Sequence, residues 1–171
     1  DGGDTPPDGR FRDDLSPFSL PSYSVQRGDR SYLLETAALR LRIQFQTPAL
    51  RWASASGSWF AADLETRAYA WDRSSQRIYH YQERRDGEHY YGFGEPSGPL
   101  NQDGRRLRMR PADAYGYDAE LSDPLYKHYP FYITFRQDQG IAYGLLYDNL
   151  AETVFDLGKE RSNYHGPYRY Y

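Results

Sequence analysis

The feature that most constrains the fold of this chain is a strict alternation of apolar and polar side chains between residues 39 and 46. The apolar members are Leu39, Leu41, Ile43 and Phe45, and the polar members are Arg40, Arg42, Gln44 and Gln46. Because successive side chains of a β-strand point to opposite faces, this period of two predicts an antiparallel strand with one apolar and one wet face. Pro48 follows and is expected to end the strand.

Similar short runs recur along the rest of the chain, at residues 50–54, 68–71, 77–82, 106–110, 131–135, 141–147 and 152–157. The runs 131–135 and 141–147 flank the polar turn sequence Asp138-Gln139-Gly140 and predict a β-hairpin. Residues 61–69 contain Leu64 as their only large aliphatic side chain, so they lack the apolar stripe of a helix. The chain is therefore predicted to be all-β, an antiparallel β-sandwich with little or no helix.

Four short motifs within residues 90–149 carry a family resemblance. In chain order they are GFGEPSGPL, PADAYGYD, DPLYKHYPFYITF and GIAYGLLYDN. Together they resemble the N-terminal β-sandwich domain of glycoside hydrolase family 31, the α-glucosidases and α-xylosidases, and the similarity covers roughly residues 36–150. The resemblance implies a galactose mutarotase-like supersandwich, and it implies that a catalytic (β/α)₈ barrel follows in the same polypeptide.

The expected organisation has two parts. Residues 1–30 are predicted to be an extended or flexible N-terminal segment, because aspartate, glycine and proline dominate its first half; a docking arm is the alternative. Residues 31–171 are predicted to be the N-terminal β-sandwich domain of a larger enzyme, truncated before its end.

Asp113 is the first candidate site residue. The resemblance implies that a loop of this domain reaches over the barrel mouth and that an aspartate at this position contacts the sugar. A carboxylate accepts strong hydrogen bonds from two hydroxyl groups, which suits that role. The alternative is that Asp113 caps a turn in its own loop, as aspartates often do.

Tyr115 is the second candidate for substrate binding, because an aromatic ring can stack on a sugar face; packing in the core or at an interface is the alternative. No catalytic residue is assigned. The resemblance implies that the nucleophile and acid/base aspartates lie on the barrel, in motifs without a counterpart here, so this chain alone is expected to hydrolyse nothing.

Other polar residues are predicted to be structural. Glu95 lies in a glycine- and proline-rich loop and is expected to accept hydrogen bonds from backbone donors there. The four histidines, His80, His89, His128 and His165, share no metal-ligand spacing, so we expect neither a metal nor a cofactor.

Bulk properties narrow the range of partners. The net charge of −3 gives no electrostatic footprint for nucleic acid, and no apolar run is long enough to span a membrane. The absence of cysteine excludes a disulfide framework and favours a reducing, cytoplasmic compartment. The expected partners are an α-glucoside in the full-length enzyme and the catalytic barrel, and the truncated domain is expected to self-associate through the surface that the barrel would cover.

Two other functions stay open on the sequence. One is a free-standing carbohydrate-binding or mutarotase-like module, and the other is a purely structural interaction domain. Mutarotation needs a histidine and a glutamate that act together as acid and base, for which His80 or His128 with Glu95 are the candidates.

Overall fold

A computed structural model describes residues 19–123, 125–149, 151–162 and 166–167. These ranges contain strands and loops and no helix, which confirms the predicted all-β class. None of their segments is a helix long and apolar enough to cross a membrane. The strands are β1 Tyr23–Arg27, β2 Ser31–Thr36, β3 Leu39–Gln44, β4 Ala49–Ser54, β5 Trp59–Ala62, β6 Tyr69–Asp72, β7 Arg77–His80, β8 Glu88–Gly92, β9 Arg106–Met109, β10 Phe131–Arg136, β11 Ile141–Leu146, β12 Thr153–Asp156, β13 Arg161–Ser162 and β14 Gly166–Pro167.

Strands β1 to β5 form one antiparallel sheet in sequence order. The alternating run predicted at residues 39–46 is strand β3, which ends at Gln44 because residues 45–48 form a turn. Its register places Leu41 opposite both Leu34 and Trp52, so the apolar side chains of neighbouring strands share one face. That face is only partly covered by described residues: Leu39, the first residue of β3, is 41% exposed.

The N-terminal edge of this sheet lies inside the segment predicted to be extended. Strand β1 pairs with β2 over five residues, from Tyr23 opposite Thr36 to Arg27 opposite Tyr32. The sheet thus begins before residue 31, whereas residues 1–18 lie outside the described ranges. The division of the chain into a tail and a domain stays a prediction.

A second sheet has the order β11-β10-β8. The predicted hairpin is confirmed, since β10 and β11 pair antiparallel from Phe131 opposite Leu146 to Arg136 opposite Ile141. Gly140 closes the turn with a φ of 62°, a conformation that glycine adopts at little cost. Strand β8 pairs with the other edge of β10, so β10 is the central strand.

The main hydrophobic core lies on the inner face of this second sheet. Tyr132 is fully buried there and stacks on Phe93, with ring centroids 4.9 Å apart and planes inclined by 10°. Phe155 of β12 meets Tyr132 edge-on at 5.7 Å. The other members of the cluster are Tyr90, Leu107, Met109 and Leu157. Burial of each large side chain stabilises the fold by about 1.5–3 kcal/mol, so this cluster is the main source of stability in the described ranges.

Phe93 reaches this core through an unusual backbone conformation. Its φ is 62°, and the flanking Gly92 and Gly94 have φ values of 114° and 76°. A left-handed conformation costs a residue with a side chain of order 1–3 kcal/mol. The buried ring and the hydrogen bond from Phe93 N to Phe131 O, 2.8 Å long, offset this cost.

The small hairpin of β6 and β7 is attached to the core by a polar network. His80, at the end of β7, contacts Asp63 Oδ1 through Nε2 at 2.9 Å and the Tyr147 hydroxyl through Nδ1 at 2.7 Å. Tyr69 stacks on the His80 ring at 4.6 Å. Burial raises the pKa of the Tyr69 hydroxyl, and the nearby Asp63 carboxylate raises it further. The network thus joins the hairpin to Tyr147, directly after strand β11, through side chains.

Arg136 connects the two larger sheets. Its side chain is 2% exposed, and its Nη1 donates to the carbonyl of Phe60 in β5 at 3.2 Å. The Nε atom lies 3.6 Å from Glu88 Oε1, an ionic contact too long for a hydrogen bond. Burial raises the pKa of Glu88, against the lowering effects of hydrogen bonds from Tyr90 and Arg85 and of the Arg136 charge.

Candidate functional site

The candidate site lies on the long connection between β9 and β10, residues 110–130. Three contacts anchor this connection to the sandwich. The backbone N–H of Arg108 donates to both carboxylate oxygens of Asp123, at 2.9 and 3.2 Å. His128 contacts the carbonyls of Met109 and Asn149 through its two ring nitrogens, at 3.0 and 2.9 Å. The base of the connection is therefore fixed, and its apex projects from the sheet.

Hydrogen bonds on both sides of Asp113 hold the apex in place. The N–H of Ala112 donates to Leu125 O at 3.4 Å, and the Tyr126 hydroxyl donates to Ala114 O at 3.0 Å. Asp113 itself is exposed. Both neighbours are held through their backbone groups, so the position of the carboxylate is set by the loop rather than by contacts of its own.

The capping alternative for Asp113 finds no support in the described residues, where its carboxylate has no hydrogen-bond donor. Other aspartates take that role in this loop. Asp118 Oδ1 accepts from the N–H groups of Glu120 and Leu121, at 2.8 and 2.9 Å. The predicted contact of Asp113 with a sugar stays a prediction, and the geometry leaves its carboxylate free for a ligand.

Tyr115 is also at the apex and is 89% exposed. Packing in the core of this chain is therefore excluded, whereas packing at an interface with another domain is not. Gly116 follows with a φ of 65°, and it turns the chain immediately after the ring. The predicted stacking of Tyr115 on a sugar stays a prediction.

Glu95 differs from its predicted role. Its carboxylate pairs with Lys127 Nζ at 2.7 Å, in a bridge between two exposed side chains. The backbone donors of its loop find other partners, because Phe93 N donates to Phe131 O and Gly98 N donates to Ala119 O, both at 2.8 Å. The prediction that Glu95 satisfies backbone donors is thus wrong, and the glutamate instead connects the loop after β8 to the connection between β9 and β10.

The histidine and glutamate pair needed for mutarotation is not assembled. His80 is bonded to Asp63 and Tyr147, and both nitrogens of His128 face backbone carbonyls. Glu95 is paired with Lys127. His165 lies outside the described residues. Across the described part of the chain, no group of three or more acidic, histidine or cysteine side chains is placed to hold a metal ion.

Sequence reasoning missed the residues that support the site. Tyr126 and Lys127 both lie in the motif LYKHY, yet nothing in their spacing shows that one bonds the Asp113 loop and the other Glu95. The one feature that pointed to these residues is the motif's composition. It holds more aromatic and basic side chains than the segment before a strand needs.

The described strands form an all-β domain of antiparallel sheets, and the exposed loop between β9 and β10 carries Asp113 and Tyr115. Residues 3–156 match the family described as "Glycosyl hydrolase 31 N-terminal galactose mutarotase-like domain". The chain belongs to this family. The resemblance and the fold predicted from the motifs are thereby confirmed.

Individual relatives agree with this assignment. The chain is 35% identical to Alpha-glucosidase 2 of Bacillus thermoamyloliquefaciens over 79 residues, which are 46% of this chain and 10% of that protein. A Flavobacterium johnsoniae GH31 dextranase complexed with glucose superposes with a TM-score of 0.72 at 26% identity, over 86% of this chain and 17% of the dextranase. The GH31 α-xylosidase of Xanthomonas citri shares the fold, with a TM-score of 0.58 at 22% identity, over 78% of this chain and 13% of the xylosidase. The chain thus spans between a tenth and a sixth of the length of these relatives.

Proposed function

We propose that this chain is the non-catalytic N-terminal domain of a larger enzyme that hydrolyses O-glycosyl bonds of α-glucosides. In that enzyme it packs on the catalytic barrel and supplies one wall of the substrate pocket. The observation that carries the proposal is the exposed Asp113 carboxylate, held at the apex of a loop whose backbone is fixed on both sides. The family assignment and the names of the relatives support the substrate class.

The chemistry of such a contact is simple. An ionised carboxylate accepts hydrogen bonds from two neighbouring sugar hydroxyls, and a charged acceptor forms stronger bonds than a neutral one. Replacement of Asp113 by asparagine keeps the size of the side chain and removes its charge. Each lost charged hydrogen bond is worth about 1.5–3 kcal/mol, so kcat/KM of the intact enzyme is expected to fall about 10- to 150-fold.

The experiment compares the Asp113→Asn and Asp29→Asn variants of the intact enzyme on an aryl α-glucoside. Asp29 is exposed in the connection between β1 and β2 and serves as the matched control. Unchanged kinetics in the Asp113 variant would contradict the proposed role. The 171-residue chain alone is expected to release no product, because no catalytic residue has been assigned to it; turnover by a pure preparation would refute that expectation.

The outer face of the second sheet supplies the surface that packs on the barrel. Strand β10 carries Phe131, Ile133 and Phe135 on that face, opposite the buried inner side chains. Ile133 and Leu146 are 38% and 64% exposed. The outer face of β10 carries only apolar side chains, and such a face is characteristic of a sheet that another layer covers. We infer that the rest of a longer polypeptide covers this face, because the relatives are much longer than the part that this chain matches.

The same surface accounts for the expected self-association of the chain by itself. An exposed apolar face pairs with a second copy when its usual partner is missing. Light scattering is expected to show concentration-dependent dimers, and Ile133→Lys is expected to abolish them. A monodisperse monomer that binds no hydrophobic dye would contradict this expectation. The proposed compartment is the cytoplasm, which fractionation of cells tests directly.

A further inference from the structure

An open cleft of about 350 Å³ lies beside the Asp113 loop. One wall comes from the loop after β8, with Glu95 and Pro96, and the other from the connection between β9 and β10, with Tyr117, Tyr126 and Lys127. Its volume is within the range of about 300–1,000 Å³ that is usual for small-molecule sites. The cleft is therefore large enough for a ligand.

The two tyrosine rings give the cleft its chemical character. Tyr117 and Tyr126 are 55% and 51% exposed, and their rings are perpendicular, with centroids 6.5 Å apart. Each ring presents an apolar body and a hydroxyl tip, which suits a ligand with both C–H faces and hydroxyl groups. A sugar ring has this combination of surfaces.

The charges of the cleft favour a neutral ligand. Glu95 and Lys127 form an ion pair across it, with 2.7 Å between the carboxylate oxygen and Nζ. One positive and one negative charge cancel at a distance, so neither a phosphate nor a cation is attracted. At close range the pair offers both donors and acceptors for hydroxyl groups.

Hydrogen bonds fix both walls of the cleft. Ser97, which is buried, donates from its hydroxyl to Ser122 O at 2.5 Å and accepts from Arg105 at its carbonyl. Gly98 N donates to Ala119 O at 2.8 Å. Because these bonds join the two loops, the backbone of both walls is in place before a ligand arrives.

We propose that this cleft is a binding site for one or more glucosyl units of a neutral α-linked oligosaccharide, beside the unit contacted by Asp113. Tyr126 connects the two positions, since its ring lines the cleft and its hydroxyl holds Ala114 O at 3.0 Å. The identity of the sugar rests on the proposed function, whereas the existence of the site rests on the geometry of the cleft.

The test is an NMR titration of the ¹⁵N-labelled chain with isomaltotriose and with maltotriose. Saturable shifts are expected at the amides of Tyr117, Tyr126 and Lys127 at millimolar sugar. Tyr117→Ala removes one ring from an exposed loop position and is expected to raise Kd about five- to tenfold. Tyr23→Ala removes an equally exposed ring from β1 and is expected to leave Kd unchanged. Unaltered signals from β10 confirm that each variant is folded.

The outcomes separate this site from the role of Asp113. Absence of saturable shifts at the three cleft amides overturns the assignment, and so does an equal loss of affinity in Tyr23→Ala, which would show adventitious stacking. If Asp113→Asn weakens binding and Tyr117→Ala does not, the cleft assignment fails and the proposed function stands. If Tyr117→Ala weakens binding while Asp113→Asn leaves kcat/KM of the intact enzyme unchanged, the cleft stands without the proposed role of Asp113.

Discussion

Replacement of Arg136 by methionine is the perturbation for which the structure gives the clearest expectation. The arginine is 2% exposed and makes its contacts with Glu88, Asp138 and the carbonyls of β5. Methionine fills a similar volume but offers no donor. The Glu88 side chain is equally buried and keeps the Tyr90 hydroxyl at 2.7 Å and the Arg85 N–H at 3.2 Å as partners.

The expected loss of stability follows from the charge that is left behind. Removal of one partner of a buried ion pair destabilises a protein by about 3–5 kcal/mol, because the remaining charge is buried without compensation. With a urea dependence of about 2 kcal/mol per molar, a loss of about 4 kcal/mol lowers the midpoint of unfolding by about 2 M. The double variant Arg136→Met with Glu88→Gln is expected to recover part of this loss, since no charge then remains buried.

The pH dependence supplies a second readout. Burial raises the pKa of Glu88 above its usual value, so the stability that this group contributes is present below its unfolded pKa and is lost as pH rises through the folded pKa. Loss of the Arg136 charge removes an effect that lowers this pKa. The Arg136→Met variant is therefore expected to lose the most free energy of unfolding, relative to the unmodified chain, near neutral pH. This loss is expected to shrink as pH falls toward the pKa of an ordinary glutamate.

Arg108→Met is the matched control, because Arg108 pairs with Glu152 at 3.3 Å where both side chains are about half exposed. A surface pair of this kind contributes about 0–1 kcal/mol. Urea unfolding of both variants, followed by intrinsic tryptophan fluorescence at several pH values, makes the comparison. An Arg136→Met midpoint within error of the control, or a deficit independent of pH, would refute the reasoning from a buried charge.

Two further predictions follow from local geometry. Gly92→Ala is expected to destabilise the chain by about 1–3 kcal/mol in thermal unfolding, since its φ is 114° and a Cβ atom would lie 3.0 Å from a carbonyl oxygen of β10. Gly87→Ala is the milder control, because Gly87 has a φ of 80° and open space around it. An equal loss of stability in both variants would show that the close approach at Gly92 is irrelevant. Hydrogen bonds from Ser75 and Ser74 lower the pKa of Asp72 to about 2, so the stability it contributes is present above its unfolded pKa and is lost as pH falls toward 2. Ser75→Ala is expected to raise that pKa in an NMR titration, and an unchanged value would contradict the assignment.

The strands were predictable where the sequence repeats with a period of two or forms a bounded apolar run. The alternation at Leu39 to Gln44 and the hairpin closed by Gly140 are local patterns, because each strand carries its own signal in consecutive residues. The exposure of the Asp113 loop could also be predicted from the sequence, since prolines, glycines and an acid within a few residues indicate a surface connection.

The polar networks were not predictable, for a physical reason. His80 meets Asp63 across 17 residues of sequence and Tyr147 across 67. Arg136 reaches the carbonyl of Phe60 across 76 residues. No periodicity links such partners, because their meeting depends on how the separate sheets pack. Sequence reasoning accordingly offered His80 only as an acid–base candidate with Glu95, and it gave Glu95 a local role although its partner Lys127 lies on another loop.

The GFGE motif joins the core of the domain to its candidate site. The left-handed backbone at Phe93 drives the ring into the cluster around Tyr132, and Gly94 then lets the Tyr129 side chain approach to within 3.0 Å of where a Cβ atom would be. That approach brings the connection between β9 and β10 against the loop after β8, where Glu95 meets Lys127. The backbone strain at Phe93 thus has a structural role beyond packing: it places the two walls of the cleft against each other. Substitutions at Gly94 are therefore expected to weaken sugar binding at the cleft more than their effect on stability alone accounts for.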